Sequence, residues 1–123
     1  MRRGLVAAVV TGALAALVVP ATASADFDGW ASCGSNLDRD RVCFGGDRPY
    51  GVLKAPPRAR DGERYKFCVT KPNGRKRCRT DFTTGKKSGN PIRANQVGRY
   101  RLRWRVNGHR VARASFRLKP EGV

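Results

Sequence analysis

Between Val97 and Leu118 the chain reads V-G-R-Y-R-L-R-W-R-V-N-G-H-R-V-A-R-A-S-F-R-L, and no other stretch restricts the fold as much. Tyr100, Leu102, Trp104 and Val106 alternate with Arg99, Arg101, Arg103 and Arg105. A period of two puts successive side chains on opposite faces of a β-strand, so this strand has one apolar face and one cationic face. Asn107-Gly108 tolerates the positive φ of a tight turn, and Val111 to Leu118 returns as the second strand of a hairpin.

Burial of the apolar face limits the turn. A plain two-residue loop pairs Leu102 with Arg113 and so turns an arginine toward the apolar side. A three-residue loop, Asn107 to His109, pairs Trp104 with Ala112, Leu102 with Ala114 and Tyr100 with Phe116; a loop at Val106–Gly108 keeps the same faces. The alternatives are an odd loop or a compensating bulge, and the odd loop is the expectation.

The chain begins with Met1-Arg2-Arg3, a nearly unbroken apolar run from Gly4 to Val19, and Ala23-Ser24-Ala25. That order is a secretory signal peptide over residues 1–25, cleaved after Ala25. The apolar run is shorter than the ~20 residues of a bilayer-spanning helix, and no later segment is apolar enough to span. Residues 26–123 are expected to form one exported domain. Removing Arg2 and Arg3 lowers the net charge from +17 to +15. The charge is uneven: residues 26–50 hold five aspartates against three arginines, whereas residues 51–123 hold 21 Lys and Arg against four acids.

All four cysteines, Cys33, Cys43, Cys68 and Cys78, lie in the exported part, which implies two disulfides among three connectivities. Tyr65–Thr70 and Arg75–Phe82 form a second hairpin around Pro72-Asn73-Gly74, a turn with a glycine bulge. Counting back from Lys71 opposite Arg75 places Cys68 directly opposite Cys78, at a non-hydrogen-bonded pair where side chains approach closely. This favours Cys68–Cys78 and, by elimination, Cys33–Cys43, with crossed linkages left open.

Asp26 to Cys33 reads as an opening edge segment anchored by Trp30, residues 34–42 as a polar loop, and Val42–Phe44 and Tyr50–Lys54 as short strands. Arg58–Glu63 reads as a turn, and Thr83–Asn95 as a polar, glycine-rich surface connection. No helical periodicity follows residue 25. Short strands punctuated by Gly, Pro and Asn describe an antiparallel β-sandwich.

Gly98 to Val106, with Val111-Ala112 and Ser115 to Leu118, resembles the closing hairpin of bacterial secreted Ig-like or fibronectin-like domains. Phe67-Cys68-Val69 with Arg77-Cys78-Arg79 resembles small exported proteins common in actinobacteria. The resemblance implies an all-β, Ig-like sandwich and carries no activity with it. Trp104-Arg105-Val106 and Asn107-Gly108-His109 are also similar to a segment of CopC-like copper-binding sandwiches, which makes His109 a metal-ligand candidate by resemblance. His109 is the one histidine of the chain, and the residues themselves identify no second ligand, so no metal or other cofactor is assigned.

Catalysis finds little to work with. There is no G-x-S-x-G, no H-E-x-x-H and no paired-carboxylate arrangement, and oxidised cysteines are not nucleophiles. The expectation is a non-enzyme. Chemistry resides in the cationic face: Arg99, Arg101, Arg103 and Arg105 stand about 6.6–6.8 Å apart in one row. In the chosen register Arg99 faces Arg117 and Arg103 faces Arg113, an opposition that destabilises a sheet unless something anionic meets it. Two readings stay open: a solvated charged face that keeps a small protein soluble, or, because guanidinium forks suit phosphate and carboxylate, a face for an anionic envelope or extracellular polymer. Sequence-specific nucleic-acid signatures are absent. A small secreted antimicrobial or inhibitor protein is the third class, after a CopC-like copper binder.

Overall fold

Eight strands follow one another in a computed structural model that describes residues 26–121. They are β1 (Asp28–Ser32), β2 (Val42–Phe44), β3 (Tyr50–Lys54), β4 (Asp61–Thr70), β5 (Lys76–Thr84), β6 (Lys87–Pro91), β7 (Gly98–Val106) and β8 (His109–Lys119). The expected signal peptide lies outside the described residues.

The strands make two packed sheets, β1-β3-β6 and β2-β8-β7-β4-β5. The order is that of an Ig-type sandwich, with β1, β3 and β6 in the places of strands A, B and E, and β8, β7, β4 and β5 in those of G, F, C and C′. Tyr100 supplies a second mark of that fold. Near the start of β7 its hydroxyl donates to the Gln96 carbonyl at 2.8 Å and accepts from the Gln96 amide at 2.9 Å. This is the tyrosine corner, which fixes how the chain enters the strand.

Both favoured disulfides are present, Cys33–Cys43 and Cys68–Cys78. Antibody domains place a bridging cysteine two residues after that tyrosine. Here the position is Leu102, buried in the core. The link between sheets comes instead from Cys33–Cys43, which ties the end of β1 to β2 in the other sheet. That crossover lays β2 parallel to β8, the one parallel pairing in an otherwise antiparallel fold.

The closing hairpin keeps the expected pairs Trp104–Ala112, Leu102–Ala114 and Tyr100–Phe116, but not by the odd loop. Asn107 and Gly108 have φ of 52° and 80° and form a two-residue turn with Val106 opposite His109. A bulge follows, because Trp104 pairs with Ala112 while Arg105 pairs with Arg110, which leaves Val111 as the extra, buried residue. Asn-Gly so favours the two-residue turn that the faces are restored by a bulge rather than by a longer loop.

Two other expectations change. The supposed connection at Thr83–Asn95 contains β6, and the turn at Arg58–Glu63 gives way to a 3-10 turn at Pro57–Ala59 and the start of β4. Strand β6 has no apolar alternation because its inward side chains are Ser88 and Asn90, both buried and both hydrogen-bonded: Ser88 Oγ accepts from the Thr84 amide, and Asn90 binds Tyr65 and Asp81.

The core is made by large side chains of the five-stranded sheet resting on small residues of the other. Trp104 and Phe67 lie with ring centroids 5.2 Å apart. A Cβ on Gly29 would fall 2.6 Å from the Trp104 ring, and one on Gly51 would collide with the Phe67 ring. The two glycines are therefore the floor on which the aromatic pair sits. Gly51→Ala is expected to lower stability by about 1–3 kcal/mol through overpacking. Urea unfolding measures this, and an unchanged midpoint would show that the sheets are free to separate.

Candidate polyanion-binding face

The outer face of the five-stranded sheet carries all six predicted arginines. Arg99, Arg101, Arg103 and Arg105 are exposed along β7, with Arg117 opposite Arg99 and Arg113 opposite Arg103. Register extends the face beyond the prediction. Arg110 of β8 and Lys66 of β4 pair with Arg105 from either side, so three cations stand in one row across the sheet. Arg64, Lys76 and Lys119 occupy the same face on β4, β5 and β8. From Arg64 to Thr70 on β4, from Lys76 to Phe82 on β5 and over all of β7, this face presents no carboxylate. Asp61, beyond a bulge at the start of β4, is the first on that strand, and Asp40 lines a cleft with Arg99, Arg113 and Arg117 at the β8 side.

Ion pairing does not relieve the charge. Among the described residues the two ion pairs are Arg39–Asp28 and Arg58–Asp26, and neither includes a cation of this face. At the centre of the face lies the Cys68–Cys78 bridge, with Cys68 opposite Arg103 on its other side. Three of the exposed large hydrophobic residues project from the same side, at its two lateral edges: Val42 and Phe44 on β2 and Phe82 on β5. Trp30, by contrast, belongs to the smaller sheet, where the Arg39 guanidinium lies 4.6 Å above its ring.

His109 is exposed at the end of the tight turn. It belongs to no cluster of metal-ligating side chains among the described residues; the one such cluster is Cys33, Cys43 and Asp47, in which the two sulfurs are bonded to each other.

Sequence reasoning missed a second basic surface. Arg75, Arg77 and Arg79 repeat the period-two spacing, but Arg77 and Arg79 pair with the inward residues Val69 and Phe67 and so lie on the opposite side of the sheet. Together with Lys71 and Arg93 they line an open cleft of about 560 Å³ whose floor is Phe67, Val69 and Ile92. The pattern R-K-R-C-R at 75–79 was the available signal, and it gives no hint that the far side of the strand stands uncovered.

A buried polar chain holds the cleft's walls together. The Tyr65 hydroxyl donates to Asn90 Oδ1 at 2.7 Å, and Asn90 Nδ2 donates to Asp81 Oδ2 at 2.7 Å, joining β4, β6 and β5. Burial, and then the Asp81 charge, push the Tyr65 phenol up to about 12; the Asn90 hydrogen bond and Arg79 act in the other direction. Compared with family models, curated proteins and solved structures, the chain matches none.

Because the folded state holds the Tyr65 proton more tightly than the unfolded chain, this contribution to stability is complete below pH 10 and is lost as pH rises through about 12. Tyr65→Phe should be less stable than the parent below pH 10 and show a shallower further decline across that window. Urea midpoints at both ends measure it; parallel declines would mean that the phenol is not held in its protonated form by the fold.

Proposed function

We propose that this protein is an exported, non-catalytic binding module whose cationic sheet face takes up anionic polymers of the cell envelope or extracellular medium. Carrying this proposal is the opposition of like charges: Lys66, Arg105 and Arg110 in one row, and Arg103 opposite Arg113, without a carboxylate among them. Directly opposed like charges cost a sheet stability, and a bound polyanion converts each cost into a contact. Two disulfides agree with an oxidising compartment, and among the described residues no helix is long and apolar enough to cross a membrane.

Val42, Phe44 and Phe82 at the edges of the face favour a second reading, in which the anionic surface is a lipid bilayer that also receives these side chains. For a CopC-like copper function, the relevant comparison is Cu(II) titration of the oxidised protein and of His109→Ala. Equal affinity in the two would remove that function.

The main experiment measures binding to isolated envelope and to model polyanions at several salt concentrations. Arg101→Gln, Arg103→Gln and Arg105→Gln together should weaken binding and reduce the slope of log K against log salt by about 2. Lys54, Lys86 and Lys87 lie on β3, the β5–β6 turn and β6, away from the face, so their triple replacement by Gln is the matched control. Equal losses in the two variants would mean that net charge alone drives binding.

A further inference from the structure

The smaller sheet, with three strands, is too narrow to cover the five-stranded one. It ends at β6, while the five-stranded sheet continues to β5. In Ig domains a further strand, D, stands beside E on that side of the smaller sheet. Among the described residues no strand stands there, and the basic cleft takes that place. Its walls are basic from two sides, with Lys71, Arg75, Arg77 and Arg79 from the β4–β5 hairpin and Arg93 from the segment after β6. No carboxylate lines it, and Phe67, Val69 and Ile92 close its floor.

We propose that this cleft is a separate anion-binding site, independent of the outer face, and that it takes a single extended phosphate chain. Three features carry the assignment. Charge comes first: an edge strand gains protection from pairing with other chains by carrying Lys and Arg, but protection does not require Arg93 to approach from a different segment. Five cations gathered around one concavity, with no acid among its lining residues, form a site complementary to concentrated negative charge. Shape comes second, since an open cleft of about 560 Å³ beside the edge strand accepts a linear chain. Chemistry comes third. Arg77 and Arg79, whose Cα atoms stand about 6.6–6.8 Å apart along β5, each present a fork of donors to phosphate oxygens, while Lys71 adds a point charge at one end.

The Tyr65–Asn90–Asp81 chain gives the site its rigidity. It pins β5 to β6 at one end of the cleft, and the Cys68–Cys78 bridge pins β5 to β4. Arg77 and Arg79 are therefore held on a strand fixed at two points, while Ile92, buried next to Arg93, anchors the other wall.

Sodium tripolyphosphate is the probe, titrated calorimetrically into the oxidised protein. Arg77→Gln with Arg79→Gln should weaken binding about tenfold or more, and Arg93→Gln, from the other wall, should weaken it in the same direction. Arg101→Gln with Arg103→Gln, on the outer face, should have a smaller effect on this short ligand. Thermal unfolding of each variant shows whether the fold is retained, and Arg93→Gln lies outside any strand, so it tests the site even if the β5 variant unfolds. A loss from the outer-face variant as large as that from the cleft variants would overturn the proposal. So would binding of a short glutamate peptide as tight as that of tripolyphosphate, which would make the cleft a site for acidic peptide instead.

Discussion

Opposed arginines on neighbouring strands are the constraint that the rest of the structure answers. Arg99 faces Arg117, Arg103 faces Arg113, and Arg105 stands between Lys66 and Arg110. Each such opposition costs of the order of 0.2–1 kcal/mol relative to neutral residues. Cohesion therefore has to come from the other side of the same strands. Trp104 alone, fully buried, removes roughly 150–250 Å² from water, which at about 25 cal/mol per Å² is about 4–6 kcal/mol, less about 1–3 kcal/mol for its buried indole N–H, which has no hydrogen-bond partner among the described residues. Phe67, Tyr100, Leu102 and Phe116 add to it, so the inner face outweighs the repulsion on the outer one. The glycines at 29 and 51 make this possible by leaving room for the large rings.

The same alternation made the closing hairpin legible before any coordinates. Once Trp104 and Leu102 had to be buried, their partners followed as Ala112 and Ala114, and the arginine oppositions followed from those. The Cys68–Cys78 pair was legible for a similar reason, because a turn of known geometry fixed the count back to it. What was not legible has a common physical origin. The preference of Asn107-Gly108 for a two-residue turn competed with the need to keep faces aligned, and only tertiary packing decided that a bulge at Val111 would reconcile them. Strand β6 carried no signal because its buried positions are Ser88 and Asn90, whose burial depends on hydrogen bonds to Thr84, Asp81 and the more distant Tyr65 that only the pairing of the sheets brings into reach.

The two basic surfaces divide in the same way. Arg99 to Arg105 announced a cationic row, whereas the contributions of Lys66 and Arg110 needed the register of the neighbouring strands. Arg75, Arg77 and Arg79 sat in plain view, but their environment depends on how many strands the opposite sheet has, which is a property of the whole chain. Basic residues thus serve two geometries in one small domain. One is a broad, open face held by a rigid apolar underside. The other is a cleft left where the smaller sheet stops short.

The central claim is that the outer face is held in a repulsive arrangement that a polyanion relieves. The most direct measurement is the thermal midpoint of the parent and of Arg103→Gln/Arg113→Gln, each with and without a long polyphosphate at low salt. Without ligand the variant should be at least as stable as the parent, since a like-charge opposition has been removed. With ligand the parent should gain more, because ligand binding to the folded state raises stability in proportion to its affinity. A variant that is less stable without ligand, or that gains as much as the parent with it, would contradict the account.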